Sequence, residues 1–474
     1  MMLSSAAASA TDLAQVAERA RRPRHPDELR IEPLRFRPDL PRLRSLPNGL
    51  RYVIARDPSL PLIRGELLFQ TGSIDEPPKA TGLASVVGEL LRTGGSLTRS
   101  AEDVDEEIDL LGATLDVLVG DEVTRVSFSA LSRDLDRILA LVSDLVRNPA
   151  FREDRLTLSR DHLREEIRRR WDEPESIAQW RFADLVYGPQ SRWARRPTPR
   201  SVDQMGQDAC RAFHARWFVP DRAWLGLTGE LSVRRTRRKI ERLFGSWKRG
   251  RPQSRPSEAA KGASPGIYWI DRELPQAQVV VGHLGVPRLG PDHYALKVMN
   301  LIVAGGGFSS RLVKEVRTVR GLSYSVHGGV GEGLDRGIFR VDLKTQPARV
   351  AEALAVVQKV LEEARRRQPN PVEMQVAHDR VAHSFVFNFS SPGAIVARQL
   401  RHAVFGYPQD YLDTYLGKIL EVGEEDVLRV ARAHIQPQRH IVLIVGPEAA
   451  VAPLREGGRG VHEIPLDPEP QPTP

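Results

Sequence analysis

The chain has very little cysteine and no long apolar run. Cys210 is the one cysteine in 474 residues, which excludes an intramolecular disulfide. No stretch approaches the roughly eighteen consecutive apolar residues of a membrane-spanning helix, so we expect no membrane span. The first residues, 1–26, also lack the compact Leu- and Val-rich core of a secretory signal peptide. We therefore expect a cytoplasmic protein, with the periplasm as the alternative compartment.

Positive charge exceeds negative charge but is scattered along the chain. Lys and Arg together number 69 and Asp and Glu 61, which gives a net charge of +8. No basic stripe alternates with aromatic residues, as binding of a single-stranded nucleic acid would require. We therefore expect no nucleic-acid partner. The excess of positive charge remains compatible with an acidic peptide or an acidic protein partner.

Metal-ligand patterns are missing as well. The stretch TGLASVVGELLRTGG, Thr81–Gly95, has the layout of a metal-site helix, because glycines bracket an apolar run. A metallopeptidase helix carries two histidines and a general-base Glu on one face, whereas this stretch has no histidine and one acidic residue, Glu89. Elsewhere His378 and His383 lie five apart, roughly 140° around a helix, and so do not share a face. We expect this chain to bind no metal.

Two segments of the chain can be aligned with each other. His214–Gly229 reads HARWFVPDRAWLGLTG and Ala431–Gly446 reads ARAHIQPQRHIVLIVG. Both have Pro in seventh place, Arg in ninth and Gly last, and both follow a short amphipathic helical pattern. In each copy a helix leads through a Pro-containing turn to a buried apolar strand. The chain is therefore expected to contain two copies of one unit.

Each unit mixes strands with helices. Strands in hairpins, with helices gathered to one side, predict an α+β fold of two homologous domains, each a mostly antiparallel sheet with helices packed on one side. A stretch rich in Pro, Ser, Gly and charge between the two copies predicts a linker. The predicted segments are an N-terminal extension (1–40), a first domain (41–247), the linker (248–266), a second domain (267–450) and a Pro-rich tail (451–474).

Several motifs, in the same order, resemble those of one family. They are LPNGLRYVI, GSIDEP, FHARWFVPDRA, AGGGFSSRLVKEVRTVRGLSYSV and YPQDYLDTYLGKILEVGEEDVLRVA. Over residues 45–448 they make the chain similar to the M16 metallopeptidases (pitrilysin/insulinase-like, mitochondrial-processing-peptidase-like), in the bacterial half-size subfamily. The resemblance implies that the two domains form half of a clamshell chamber for peptides.

The same resemblance implies a zinc site that has lost its residues. Active members carry His-x-x-Glu-His on the first-domain helix and a distal Glu as third ligand. On this chain the first His falls on Ser85, the general base on Gly88 and the second His on Glu89, while Glu166 matches the third ligand. Ser159 stands where the family usually has a supporting Glu. Zinc-dependent catalysis by this chain alone is not expected, and weak binding of a cation by Glu89 and Glu166 stays open.

The second domain retains a pair of residues that the family uses near the scissile bond. Arg317 and Tyr324, seven residues apart, fit that pattern. A phenol O–H can donate to the oxyanion of a tetrahedral intermediate, and a guanidinium can orient a peptide carbonyl. The structural alternative is that Arg317 caps a helix and Tyr324 packs in a strand. The Gly305–Gly307 run lacks the Lys-Ser/Thr ending of a P-loop and is expected to be a structural turn.

These residues lead to one hypothesis and two alternatives. The chain is predicted to be the non-catalytic subunit of a heterodimeric M16 zinc endopeptidase, with Arg317 and Tyr324 acting in trans on a peptide or unfolded polypeptide. Its partner is a zinc-bearing M16 chain, and this chain itself holds no cofactor. The alternatives are a structural or binding homologue that takes no part in proteolysis and a peptidase with an atypical metal site.

Overall fold

The structure is a computed structural model that describes residues 39–251, 254–255 and 257–466. Residues 1–38 of the predicted N-terminal extension and residues 467–474 of the predicted tail lie outside the described residues. Within the described part of the chain, no helix is both long enough and apolar enough to cross a membrane.

Six strands form the sheet of the first domain. They are β1 (Arg44–Ser45), β2 (Arg51–Arg56), β3 (Leu62–Phe69), β4 (Thr114–Val119), β5 (Thr124–Leu131) and β6 (Ala223–Gly229). They lie in the order β1-β2-β6-β3-β5-β4, so β1 and β4 are the edges. Neighbouring strands are antiparallel except for β2 and β6. The mostly antiparallel sheet predicted for the first domain is confirmed.

The second domain repeats this arrangement. Its strands are β7 (Gly266–Asp271), β8 (Ala277–Leu284), β9 (Val286–Pro287), β10 (Val326–Val330), β11 (Glu332–Gly333), β12 (Ile338–Thr345), β13 (Ile441–Gly446) and β14 (Val461–Glu463). Strands β9 and β11 pair apart from the main sheet, in which β7-β13-β8-β12-β10 reproduces the order β2-β6-β3-β5-β4. Pro220 and Pro437 begin equivalent 3-10 turns before β6 and β13. The predicted duplication is confirmed.

The helices follow the same two-part division along the chain. Those before residue 250 are α1 (Leu83–Thr93), α2 (Ala101–Leu111), α3 (Leu135–Arg147), α4 (Glu153–Arg169), α5 (Pro174–Tyr187), α6 (Pro199–Asp203), α7 (Gln207–Trp217) and α8 (Val233–Phe244). Those after it are α9 (His293–Asn300), α10 (Val350–Arg366), α11 (Pro371–Phe387), α12 (Pro392–Val404), α13 (Tyr411–Leu420), α14 (Glu424–His434) and α15 (Ala452–Glu456). Two π-helical turns, Leu301–Gly305 and Val313–Val319, follow α9.

Part of the segment assigned from sequence to the Pro-rich tail completes the second domain. Helix α15 is followed by β14, which pairs parallel with β7. Val451 and Leu454 are buried there, so two apolar side chains anchor a stretch whose overall composition suggested a tail. The described residues of 248–265 form neither helix nor strand.

A large apolar cluster lies between the first sheet and helices α1–α4, α7 and α8. Because side chains alternate along a strand, Tyr52 and Ile54 of β2 and Ile63, Leu67 and Phe69 of β3 point to this face. The opposite face of the sheet therefore needs a different cover.

That cover comes from the other half of the chain. The buried residues of α12 are Val396, Leu400 and Val404, one helical turn apart. They pack against side chains of β2, β3 and β6 that include Leu68 and Trp224. A helix from the second half of the sequence thus covers the outer face of the first sheet.

The first half of the chain likewise contributes a helix to the second sheet, so the two halves exchange helices. Helix α5, from the first half of the sequence, lies on the second sheet. Its side chains Ile177, Phe182 and Leu185 share an apolar cluster with Val280 of β8 and Leu443 of β13. Each sheet therefore has helices of its own half on one face and a helix of the other half on the opposite face.

A glycine permits close contact between α12 and the first sheet. A Cβ at Gly226 in β6 would lie 2.6 Å from Cδ1 of Leu400 and 2.6 Å from Cγ1 of Val396. Any side chain at this position would push α12 away from the strand.

Truncation of the α12 contact should destabilise the whole chain. Leu400 is fully buried, so Leu400→Ala should lower the free energy of unfolding by about 2–5 kcal/mol. Because α12 joins two halves of the sequence, far-UV circular dichroism and Trp fluorescence should still report one coincident urea transition. Leu158→Ala, at a side chain of α4 that is 50% exposed, is the control and should change stability by less than about 0.5 kcal/mol. Separate transitions for Leu400→Ala would show that the exchange does not couple the domains.

Candidate functional site

A groove of about 710 Å³ lies between α1, β4 and α4. Ser85 and Glu89 line it from α1, and Glu166 lines it from α4. Three of the four positions singled out as a degenerate zinc site are therefore brought together. The fourth, Gly88, is buried on the same helix as Ser85 and Glu89.

Glu76 fixes the start of α1. Its carboxylate accepts hydrogen bonds from the backbone N–H groups of Gly82 at 2.7 Å and Ala84 at 2.8 Å. These groups have no partner within the helix, so the carboxylate acts as its N-terminal cap. Burial raises the pKa of the Glu76 carboxyl to about 7, against the opposing effect of these hydrogen bonds and of Arg195. The GSIDEP motif thus positions the helix that lines the groove.

The carboxylate of Glu89 is held by α4. Ser159 Oγ donates to Glu89 Oε2 at 2.6 Å, and His162 Nδ1 lies 2.8 Å from Glu89 Oε1. An ionised carboxylate only accepts hydrogen bonds, so Nδ1 of His162 is the donor. His162 was not predicted from the sequence, although its spacing of four from Glu166 places both side chains on one face of a helix. Hydrogen bonds therefore link α1 to α4 at this point of the groove.

Val119 fills the position of the missing general base. A Cβ on Gly88 would lie 2.4 Å from Cγ2 of Val119 and 3.5 Å from Cγ1 of Val117. The first distance is far below van der Waals contact, so a side chain at position 88 would require the Val119 side chain, β4 or α1 to move. The space next to Gly88 is therefore taken by Val119, a half-buried side chain that packs against the first core.

The groove does not fit a catalytic zinc ion. Among the described residues, no group of three or more His, Cys, Asp or Glu side chains is arranged to hold a metal ion. The Glu89 carboxylate already accepts two hydrogen bonds, and Ser85 offers a hydroxyl where zinc sites use imidazole, thiolate or carboxylate. We assign no zinc chemistry to this groove.

The structure places Arg317 and Tyr324 together. Arg317 lies on the second π-helical turn, which Val313 and Val316 anchor in the core. Its guanidinium carbon is 4.3 Å from the centre of the Tyr324 ring and 4.5 Å from that of Phe308. The arginine is thus held between two aromatic rings by cation–π contacts.

This stack is exposed and separate from the groove. Tyr324 is 82% and Phe308 69% exposed, so neither ring is a core residue. Arg317, Phe308 and Tyr324 do not line the groove. Phe308 was missed from the sequence because it lies nine residues from Arg317 and carries no pattern of its own. Tyr324 does not pack within a strand, since β10 begins at Val326.

The remaining residues singled out from the sequence lie in structural positions. Gly305–Gly307 joins a π-helical turn to a short 3-10 turn, and the carbonyl of Gly306 accepts a hydrogen bond from Arg380. His378 is half-buried and His383 exposed on α11.

Two protein families match this chain. Residues 51–188 match the family described as insulinase (peptidase family M16), and residues 205–380 match the one described as peptidase M16 inactive domain. An uncharacterized zinc protease of Mycobacterium bovis is 30% identical over 420 residues, which cover 86% of this chain and 94% of that protein.

Solved structures show the same fold. The peptidase M16 inactive domain from Pseudomonas fluorescens superimposes with a TM-score of 0.78 at 22% identity, over 90% of this chain and all of that one. A protease from Helicobacter pylori gives a TM-score of 0.76 at 20% identity, over 86% of this chain and all of that one.

The capping carboxylate gives a pH-dependent prediction. Because the pKa of Glu76 is raised to about 7 by folding, the folded chain binds more protons than the unfolded chain between about pH 4.5 and 7. The contribution of Glu76 to stability therefore falls as the pH rises through this range, by up to about 3 kcal/mol. Glu76→Gln cannot titrate, so the stability of wild type relative to this variant should fall between pH 5 and pH 8 in urea unfolding. Glu230→Gln, at an exposed carboxylate, is the control, and an equal pH profile for both variants would contradict the prediction.

The packing of Gly88 against Val119 gives a second prediction. In an unobstructed helix Gly→Ala stabilises by about 0.5–1 kcal/mol, but here the new methyl group meets Val119. Gly88→Ala should lower the free energy of unfolding in the wild-type background and raise it in a Val119→Ala background. The coupling in this double-mutant cycle should be about 1–3 kcal/mol.

The chain offers a matched control for that cycle. Gly417 on α13 is also helical and has no atom within 4 Å of a built Cβ. Gly417→Ala should therefore stabilise both backgrounds equally. Additive effects of Gly88→Ala and Val119→Ala would show that the space at position 88 is free.

Proposed function

The chain belongs to the M16 (insulinase) peptidase family, and from this membership and its altered site we propose that it is the non-catalytic subunit of a heterodimeric zinc endopeptidase. Its partner is an M16 chain of similar length that carries the His-x-x-Glu-His helix. This chain completes the partner's active site with Arg317 and Tyr324. The substrates are peptides or unfolded polypeptides.

The exposed stack of Arg317 between Phe308 and Tyr324 carries this proposal. Tyr324 is 82% exposed, so its hydroxyl is accessible to a ligand. No carboxylate of the described residues pairs with Arg317, so its N–H donors are available to a ligand. The packed position of Gly88 meanwhile supports a partner as the source of the general base.

The chemistry of the two side chains suits amide hydrolysis in trans. The Tyr324 hydroxyl can donate to the oxyanion that forms only in the tetrahedral transition state. The Arg317 guanidinium can hold a peptide carbonyl in the ground state through paired N–H donors. Contact with two rings limits the motion of Arg317 and so reduces the entropy lost on binding.

The outer edge of β4 provides a place for the peptide backbone. No strand of the described residues pairs with that edge, and it borders the groove. Arg92 Nε donates to the carbonyl of Leu115 at 2.9 Å, so the outward backbone groups of residues 116–119 are the ones left for a ligand. An extended peptide can add there as a further strand, with affinity from main-chain hydrogen bonds and loose sequence specificity.

The alternative functions differ in what they require of the exposed stack. A purely structural or binding homologue has no need of a preorganised phenol. A peptidase with an atypical metal site would use Glu89, whose carboxylate is already bound by Ser159 and His162. The variants described next separate these functions.

Removal of one hydroxyl is the most direct test. The chain is combined with a zinc-bearing M16 chain from its own genome, and cleavage of a quenched peptide is measured. Tyr324→Phe should lower kcat by roughly 10²–10³, about 2.7–4 kcal/mol, with little change in KM, because the hydroxyl acts on charge that develops in the transition state. Arg317→Ala should impair both kcat and KM, since the guanidinium already contacts the bound peptide.

Lys314→Ala is the control for these variants. Lys314 is exposed on the same π-helical turn, so the change removes a charge without altering the aromatic stack. Assembly with the partner and its zinc content should be unchanged in all three variants. An unaltered kcat for Tyr324→Phe in an intact complex would leave this chain as a wall of the chamber without a part in the chemistry.

A further inference from the structure

A second and larger cavity, of about 1100 Å³, lies between the two domains. We call it the interdomain cavity. Strands β3 and β5 line it on one side, and helices α11, α12 and α13 line it on the other. The cavity exists because α12, from the second half of the chain, packs on the first sheet. Its volume is at the upper end for drug-sized ligands and suits a short peptide segment.

The charges that line the interdomain cavity are mostly positive. Its cationic side chains are Arg125, Lys297, Arg380, Arg398 and Arg401, and Glu66 is its one carboxylate. Arg125 lies 3.9 Å from Glu66. Arg380 and Arg398 donate to neutral oxygens, the carbonyl of Gly306 and the side-chain amide of Asn388. Among the described residues no carboxylate forms an ion pair with Arg380 or Arg398, and Arg401 acts on Glu66 only through its charge, so the guanidinium groups can still bind a ligand.

The positive charges of Arg398 and Arg401 act on the neighbouring His402. Burial, together with the positive charges of the adjacent Arg398 and Arg401, lowers the pKa of His402 to about 4. His402 is therefore neutral near pH 7 and does not add to the charge of the cavity. The guanidinium groups set the positive potential there.

A rigid aromatic wall faces these arginines. Tyr411 has its ring centre 4.6 Å from that of Tyr407 and 4.9 Å from that of His402. Its hydroxyl lies 2.8 Å from Nε2 of the buried His293, whose Nδ1 lies 2.6 Å from Glu332. The Glu332 carboxylate accepts a hydrogen bond from Nδ1, and the Tyr411 hydroxyl forms a hydrogen bond with Nε2. This chain of hydrogen bonds fixes the wall.

The cavity and the groove meet at β4. Leu118 lines both spaces and is 58% exposed, and Gly120, just after the strand, also lines the cavity. A ligand that pairs with the outer edge of β4 is therefore led towards the interdomain cavity. Pairing with a strand edge requires a polypeptide backbone, which favours a peptide over a nucleotide or a free anion.

We propose that the interdomain cavity binds an acidic segment of a peptide whose neighbouring residues pair with the outer edge of β4. Carboxylate side chains of the segment accept charge-assisted hydrogen bonds from Arg398 and Arg401, a geometry for which guanidinium is well suited. Apolar side chains pack on the Tyr407 and Tyr411 wall. That this peptide is the substrate rests on the proposed function, whereas the binding itself does not.

The test uses the full chain without a partner. Fluorescence anisotropy measures binding of a labelled peptide with Glu at alternate positions and of the same peptide with Gln in their place. Both ends are blocked, so that the side chains supply the only carboxylates. The Glu peptide should bind at least about tenfold more tightly than the Gln peptide. This preference should shrink as the salt concentration rises from about 50 to about 300 mM.

Substitution of the cavity arginines tests whether the peptide binds in the interdomain cavity. Arg398→Gln with Arg401→Gln should abolish most of the preference for Glu, and Arg401→Gln alone, at an exposed side chain, should remove part of it without a risk to folding. The control is Arg234→Gln with Arg235→Gln, an equal change of charge at exposed positions of α8. Equal binding of the two peptides, or an equal loss for the cavity and control pairs, would overturn the proposal.

The same peptides separate this proposal from the proposed function. In the reconstituted complex, cleavage without preference for the Glu peptide would overturn the acidic specificity and leave the complex intact as an enzyme. Binding of the Glu peptide with the expected preference, but no cleavage with any zinc-bearing M16 chain, would support the cavity and count against the two-subunit peptidase.

Discussion

The rest of the structure depends on the exchange of helices between the two halves of the chain, in which α12 lies on the first sheet and α5 on the second. A sheet with apolar side chains on both faces has to be covered on both, and each domain has its own helices on one face only. The α12 contact with Leu68 and Trp224, and the matching α5 contact with the second sheet, supply the missing covers. Because both contacts cross between halves, neither domain has a complete core alone. The orientation of the domains, and the interdomain cavity between them, follow from the same contacts.

In the groove, hydrogen bonds from protein groups hold helix α1 in place. Glu76 fixes its first turn, and Ser159 and His162 hold Glu89 from α4. Each oxygen of the Glu89 carboxylate accepts a hydrogen bond from a side chain of α4. The carboxylate therefore has protein partners, whereas a metal ligand needs an oxygen that is free to bind the ion. The neighbouring Val119 then occupies the space next to Gly88. The hydrogen bonds of Glu89 and the packing of Val119 against Gly88 therefore hold α1 against α4 and β4 with side chains of this chain alone.

Much of the fold was predictable from the sequence, because the strongest signals were local. The duplication followed from the matched Pro220 and Pro437 turns, and strand and helix periods identified most elements. The helix exchange was not predictable, since an apolar face shows that α12 is buried but not on which sheet. His162 and Val119 were missed for a related reason: their contacts with Glu89 and Gly88 join elements that are distant in sequence. Such contacts depend on the register between elements, which a single sequence does not display.

In the described part of the chain, the four edges of the two six-stranded sheets differ in how well they are protected, and this difference bears on where a peptide can bind. An unpaired edge invites pairing with other chains, and proteins usually shorten or interrupt it. Strands β1 and β14 have two and three residues, and β10 contains the consecutive glycines 328 and 329. Strand β4 has six residues and no glycine, and it exposes Leu118. It is therefore the edge where addition of a strand is physically easiest. Since the groove and the interdomain cavity both border this strand, its exposed edge is open to the peptide that we propose binds there.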